Sequence, residues 1–287
     1  MSEAPRRTVL ELLTLAADYL AKKSVPSARR EADALLGHVL GCDRLHLYLR
    51  FEELPGPSEV DRFRELMRRR GDREPLQYLM GSVRFGGLAL ACDRRALIPR
   101  PETEDLARLA LGLLKAPSTA SCADVGTGTG CLALFLARQG ATVLATDAEP
   151  GPLALAAENA AALGLQGRLR FAQGHLLGPL EGAGPFDLLV SNPPYIAEGE
   201  RAGLQPEVGR WEPPAALFAG PRGLDCLEPL LEGAPAVLAP GGWLALECGL
   251  GQPQGLLQRA LDSGAWASAA TARDSFEVER FLVCQRP

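Results

Sequence analysis

Three short runs of this chain hold residue types at spacings able to do chemistry. In Asp124-Val125-Gly126-Thr127-Gly128-Thr129-Gly130, three glycines alternate behind an acid. Glycines let a backbone turn sharply and approach a ligand with no Cβ in the way. A dinucleotide site would use a similar loop, but G-x-G-x-x-G needs a glycine at position 131, where Cys131 stands. An acid at the strand end followed by G-x-G-x-G favours S-adenosylmethionine over a pyrophosphate. The second candidate is Asp147, which closes the strand-like run ATVLATD. A carboxylate at a strand tip accepts both hydroxyls of a ribose through charge-assisted hydrogen bonds. The competing role is a cap for the helix that follows; the glycine loop upstream favours the ribose.

The third run, Ser191-Asn192-Pro193-Pro194-Tyr195-Ile196, follows the buried strand FDLLV and is the most specific of the three. Two prolines stiffen the backbone where the carboxyl end of a strand meets a ligand crevice. An amide NH2 is a poor nucleophile because its lone pair is delocalised into the carbonyl. With the Asn192 side-chain oxygen and the Pro193 carbonyl each accepting one N–H, the nitrogen would be held with its remaining lobe toward a methyl donor. Pro193 has a carbonyl and no competing N–H. Tyr195 would offer a ring face to the planar amide beside a sulfonium. Three histidines, no Ser-His-Asp set and no clustered metal ligands leave hydrolytic and metal chemistry without a foothold. Methyl transfer from a sulfonium needs neither, because orientation does most of the work.

The elements that must position these runs are legible. Helical spacing of apolar residues marks VLELLTLAADYLAKK and ARREADALLGHVLG, the second with Ser27 as its expected cap. Asp43 begins a short RLHLYLR segment, Ser58 is expected to cap EVDRFRELMRRR, and REPLQYLMG is a further short helix. The period then changes: VRFGGLALAC reads as a hairpin about Gly86-Gly87. Beyond IPRPETEDL, strands and helices alternate, and two strand-like runs, ASAATARD and RFLVCQ, end the chain. That order implies a mainly parallel α/β sheet with helices on both faces, finished by an antiparallel hairpin. The expected division is a helical domain over 1–81, a linking hairpin over 82–95 and a catalytic domain over 96–287.

A length of 287 residues accommodates two domains, and 47% hydrophobic with 23% charged residues is an ordinary globular balance. No apolar run reaches the ~20 residues of a membrane span, and the N-terminus lacks a signal-peptide core. Seven scattered cysteines without a CxxC pair read as buried thiols of a reduced, cytoplasmic protein. A net charge of −5 argues against nucleic-acid binding through a broadly basic surface. Locally, Arg62, Arg64, Arg68, Arg69, Arg70 and Arg73 cluster and suggest a docking patch for an acidic protein surface.

Taken together, NPPY, the glycine loop, IPRPETE (98–104) and REPLQYLMG resemble the protein-(glutamine-N5) methyltransferases of peptide-chain release factors, the PrmC/HemK family. The likeness extends to EADALLGHVLG, EPPAALFAG (212–220), GLD (223–225) and PGGWLALECGLGQ (240–252), so it covers essentially the whole chain. It implies a class I S-adenosylmethionine-dependent methyltransferase fold, a seven-stranded Rossmann-like sheet, behind a small helical substrate-docking domain and a hairpin. It also implies methylation of the glutamine in the GGQ tripeptide of release factors. The cofactor loop would be Gly126, Thr127, Gly128, Thr129 and Gly130, with Asp147 on the ribose. Asn192, Pro193, Pro194 and Tyr195 would hold the glutamine, Asn192 also flanking the cofactor, and Arg100 and Glu102 would support the site from its rim. Where the family carries an acid and then a bulky residue beside the adenine, this chain has His175-Leu176, which leaves Leu176 to pack on the base. FEVER and LACDRRAL also depart from the pattern. A ribosomal-protein glutamine methyltransferase would use the same site. A nucleic-acid adenine-N6 or cytosine-N4 methyltransferase shares NPPY but needs a basic groove or a recognition domain. A nicotinamide-dependent oxidoreductase, or a non-catalytic binding protein, would explain neither Cys131 nor NPPY.

Overall fold

Apolar residues three and four apart in VLELLTLAADYLAK form the first helix of a computed structural model that describes residues 6–287. The first five residues of the 1–81 stretch lie outside the described residues. This helix, α1 (Val9–Lys22), is followed by α2 (Ala28–Leu40), α3 (Arg44–Leu49), α4 (Pro57–Gly71) and α5 (Leu76–Met80). Thr8 and Glu11 close a capping box on α1, and Asp43 accepts the His46 N–H at 2.8 Å to start α3. Leu13, Leu35, Leu36, Leu47 and Phe63 form the centre of a core that belongs to these helices alone.

Two expected caps are not made. Ser27 precedes α2 but sits in the left-handed region, φ 52°, with no side-chain bond to the helix. Ser58 lies inside α4, whose cap is Gly56; Pro57 begins the helix, and Glu59 accepts the Gly56 N–H at 2.6 Å. Proline at the first position loses no helical hydrogen bond, so it wins that place over serine.

The arginine cluster also differs from expectation: five of the six arginines pair within their own unit. Arg69 grips Glu74 at 2.8 and 2.7 Å, while Arg64 and Arg68 pair with Asp61 and Glu65. Arg70 is buried, bonded to Glu31 and, at 2.9 Å, to Glu207; Arg73 holds both oxygens of Glu207 at 2.7 Å. Glu207 belongs to this unit because residues Gln205–Trp211 fold with the helices up to Gly81, although they lie far along the chain. The cluster is therefore largely an internal ion-pair network.

The second unit comprises Ser82–Leu204 and Glu212–Pro287. It opens with a hairpin, β1 (Ser82–Phe85) and β2 (Leu88–Ala91), turned by Gly86-Gly87, both at positive φ as a two-residue hairpin turn requires. Then come α6 (Pro101–Leu113), β3 (Ser121–Val125), α7 (Cys131–Arg138), β4 (Thr142–Asp147), α8 (Pro150–Ala162), β5 (Leu169–Gln173) and β6 (Phe186–Ser191). After α9 (Pro206–Trp211), in the segment that joins the helical unit, follow α10 (Leu227–Val237), β7 (Leu238–Glu247), α11 (Gln252–Ser263), β8 (Ser268–Arg273) and β9 (Glu279–Gln285). The seven strands β3–β9 make one sheet in the order β5-β4-β3-β6-β7-β9-β8, parallel through β7 and antiparallel at β9 and β8.

Successive residues of β3 serve opposite faces, Cys122 packing with α6 and α7 and Ala123 with α10 and α11. The central strands β3, β4 and β6 are covered on both sides and are apolar at most positions, whereas the edge strands β5 and β8 are partly exposed and more polar.

Candidate active site

The sheet order reverses between β3 and β6, and an open α/β sheet opens a crevice at such a switch point, beyond the carboxyl ends of its strands. Val125 and Ser191 are register partners there, so the glycine loop and the Asn192 loop leave the sheet side by side. The Ser191 hydroxyl ties them by donating to the Val125 carbonyl at 2.6 Å. Beyond them lies a cavity of about 360 Å3.

Gly126, Thr127, Gly128 and Thr129 form one wall of the cavity. Gly126 and Gly128 have φ of 73° and 57°, and a Cβ added at Gly126 would meet nothing within 4 Å. Gly130, φ 82°, does not line the cavity; a Cβ there would come within 3.0 Å of Ala156, so it lets α7 approach α8. Asp147 stitches this wall to β4: one carboxylate oxygen accepts the Gly128 N–H at 3.0 Å and the other the Glu149 N–H at 3.1 Å. The residue capping α8 is Glu149, not Asp147. Burial raises the Asp147 pKa against the pull of those N–H groups.

Under the loop, Asp124 is fully buried. Its Oδ2 accepts the Thr127 hydroxyl at 2.7 Å and the Ala133 N–H at 3.1 Å, while its Oδ1 has no hydrogen-bond partner among the described residues. Desolvation pushes its pKa up to about 7. A glycine wall at positive φ with no Cβ in the way and the Asp147 carboxylate in the same lining fit an adenosine-bearing ligand, while Asp124 lies beneath the loop and outside the lining.

Asn192, Pro193, Pro194 and Leu176 also line the cavity. Leu176 is itself left-handed, φ 47°, a conformation that costs a leucine about 1–2 kcal/mol. Asn192 is held by Thr103, which itself lines the cavity. Its Nδ2 donates to Thr103 Oγ1 at 3.0 Å, and the Thr103 hydroxyl donates to Glu247 Oε2 at 2.8 Å. Tyr195 donates its hydroxyl to the other oxygen of Glu247 at 3.3 Å. Glu247 ends β7, and Thr103 stands in the first turn of α6. Both are buried, and desolvation pushes the Glu247 carboxyl up to about 7.

The cavity thus gathers Gly126, Thr127, Gly128, Thr129, Asp147, Leu176, Asn192, Pro193 and Pro194. Tyr195 is not in its wall: its hydroxyl lies against Glu247, and its carbonyl accepts from Gln252 at 2.9 Å. Its hydroxyl and carbonyl thus tie the loop to the end of β7 and the start of α11. Nor does Arg100 reach the cavity; it pairs with buried Glu212, which also accepts the Ile98 N–H at 3.1 Å. That pair fixes the start of the segment whose Pro213, Ala216 and Phe218 complete the cavity. Thr103, Glu247 and Glu212 were not singled out from the sequence. The RPETE and LALECG runs that contain two of them were visible, but no local spacing joins residues 144 positions apart.

The chain matches the PrmC N-terminal domain family over residues 11–81 and the methyltransferase small domain family over residues 103–205. Among solved structures, the hMettl16 catalytic domain, determined with the MAT2A 3′UTR hairpin 6, covers 81% of this chain and 83% of its own at a TM-score of 0.56 and 16% identity, a likeness of fold. The release factor glutamine methyltransferase of Geobacter sulfurreducens is 41% identical over 285 residues, 98% of each chain. That of Deinococcus radiodurans is 48% identical over 239 residues, 83% of this chain and 84% of its own. Identities of 41% and 48% over 98% and 83% of the chain place it in the release factor glutamine methyltransferase family.

Proposed function

We propose that this methyltransferase moves a methyl group from S-adenosylmethionine to the side-chain amide nitrogen of the glutamine in the GGQ tripeptide of peptide-chain release factors. The observation that carries the reading is Asn192 at the cavity wall, its NH2 held by Thr103 and its oxygen therefore turned away from Thr103. The relatives bearing this activity in their names, at 41% and 48% identity, support the substrate.

S-adenosylmethionine, when bound, supplies a methyl already activated by a sulfonium leaving group. Gly126 to Thr129 would admit its backbone-hugging part, Asp147 the ribose hydroxyls, and Leu176 the adenine face. The Asn192 oxygen and the Pro193 carbonyl would each accept one N–H of the glutamine amide. An amide so held has its nitrogen aimed by two acceptors, and orientation of this kind accounts for several orders of magnitude of rate. The methylated nitrogen is cationic and strongly acidic, so it would release one of its two protons to water, while the Asn192 oxygen and the Pro193 carbonyl hold the nitrogen in place. A glutamine side chain is common, so choice of protein must come from surface beyond the cavity; the helical unit is the candidate docking element.

Mass spectrometry after incubation with labelled methyl donor, release factor, ribosomal proteins and DNA tests the reading. Label on the GGQ glutamine of the release factor is the expected result. Label on DNA, or on a ribosomal protein in place of the release factor, would overturn it.

A further inference from the structure

We infer that Glu247, acting through Thr103, sets which way the Asn192 side-chain amide faces, and that both are positioning residues for the methyl acceptor. The inference rests on the function proposed above. An asparagine amide has an oxygen on one side and an NH2 on the other, and the reaction needs the oxygen toward the substrate, because only oxygen accepts an N–H. A cavity wall made of loop backbone does not choose between the two orientations. The hydrogen-bond chain running from Thr103 in the cavity lining to Glu247 does.

The Thr103 hydroxyl has one proton and sits 3.0 Å from Asn192 Nδ2 and 2.8 Å from Glu247 Oε2. Above about pH 7, where Glu247 is ionised, its carboxylate only accepts, so the Thr103 proton points to Glu247. The Thr103 oxygen then has only lone pairs to offer Asn192, and the side of Asn192 that meets it must be the NH2. A flipped Asn192 would set its oxygen against that oxygen, leaving two acceptors in contact in a buried place. Glu247 is committed to this polarity on its other side too, where the Tyr195 hydroxyl donates to it. Three elements distant in sequence meet here, the end of β7, the first turn of α6 and the loop after β6, and the proton order runs one way through them. Retaining a carboxylate that is 1% exposed, where glutamine would cost less to bury, fits a role in polarity rather than packing.

Thr103→Val removes the hydroxyl at nearly constant volume, Thr103→Ser keeps it, and Glu247→Gln replaces the obligate acceptor by a group that also donates. With intact release factor, Thr103→Val is expected to lower kcat about a hundredfold while KM for either substrate moves less than about threefold, and Thr103→Ser to restore most of the loss. Glu247→Gln should fall between them. Binding of S-adenosylhomocysteine, measured by calorimetry, should be unchanged in all three.

A second readout does not depend on turnover. The chain has two asparagines, Asn159 and Asn192. In protein labelled with 15N-asparagine, the Asn192 side-chain NH2 should exchange with water at least about tenfold faster in Thr103→Val than in the parent, while Asn159, bonded to Ala91 and Thr129, should not change. Unchanged kcat in Thr103→Val, or unchanged Asn192 exchange, overturns the positioning role. A parent enzyme that methylates no release factor, with the exchange difference present, overturns the proposed substrate and leaves the orientation of Asn192 established.

Discussion

Asp147 and Gly128 are joined in the cavity wall, the carboxylate of one accepting the backbone N–H of the other at 3.0 Å. The acid at the tip of β4 therefore holds the glycine loop in shape as well as facing the cavity. Asp147→Ala should weaken S-adenosylhomocysteine binding by about 1–3 kcal/mol, the sum of lost ribose contacts and a loosened loop. Asp147→Asn keeps one acceptor oxygen and should lose less. Calorimetry distinguishes them, and an unaltered dissociation constant in Asp147→Ala would remove Asp147 from the cofactor site.

The glycines of that loop should separate under substitution. Gly130→Ala drives a Cβ to 3.0 Å from Ala156 and 3.1 Å from Leu134 at positive φ, so it should lower stability by about 2 kcal/mol or more. Gly126→Ala meets open space and suffers only the left-handed penalty of about 1 kcal/mol, but its methyl occupies the cavity. Thermal melts should rank Gly130→Ala as the less stable, whereas cofactor titration should rank Gly126→Ala as the weaker binder.

Asn192→Ala removes one of the two proposed acceptors from a loop outside the sheet. Turnover should fall about a thousandfold, with the melting temperature close to that of the parent. Near-normal turnover would end the mechanism given above.

Glu247 should leave a mark on stability as a function of pH. Its carboxyl is pushed from 4.5 up to about 7 by burial, which outweighs Thr103, Arg280 and Tyr195, all of which favour the ionised form; Glu102 adds to the upward push. The folded state thus holds a proton that the unfolded chain has released between about pH 4.5 and 7. The stability Glu247 contributes is complete below the lower value and disappears as pH rises through the upper one. Glu247→Gln, always neutral, should therefore gain about 2 kcal/mol relative to the parent between pH 5 and pH 8. Paired denaturant titrations at the two pH values measure that difference, and a constant gap between parent and variant would contradict it. The ionised form that orients Asn192 is the form that costs stability.

Arg70 gives the helical unit a comparable dependence on buried charge. Arg70→Met leaves Glu31 and Glu207 facing each other without their shared guanidinium and should destabilise by about 3 kcal/mol, detectable as earlier proteolysis within residues 205–211. Glu207→Gln, which leaves both arginines hydrogen-bonded, should cost less.

These arginines also show where sequence reading stops. Six of them within 62–73 look like a patch because the sequence displays one side of each pair; Glu31 and Glu207 lie 39 and 137 positions from Arg70. The same distance concealed Thr103 and Glu247, whose meaning arises only when β7 and α6 converge on Asn192. By contrast, the central strands of the seven-stranded sheet were legible because burial on both faces demands largely apolar runs, and the glycine loop because a left-handed backbone nearly demands glycine. Tyr195 shows a third case. Its place in NPPY was evident, yet its hydroxyl is held by Glu247 and its carbonyl by Gln252, partners that no reading of the motif supplies.

The return of residues 205–211 to the helical unit changes what kind of object that unit is. The polypeptide passes from one unit to the other three times, after Gly81, after Leu204 and after Trp211. A unit closed by two separate stretches of chain is discontinuous, so no single cut releases it whole. Truncation before Ser82 would strip Glu207 of Arg70 and Arg73 and strand a segment midway through the remaining fold. For the same reason the helical unit cannot be exchanged between relatives as a terminal cassette; any transplant must carry residues 205–211 with it, and the two pieces must be inherited together.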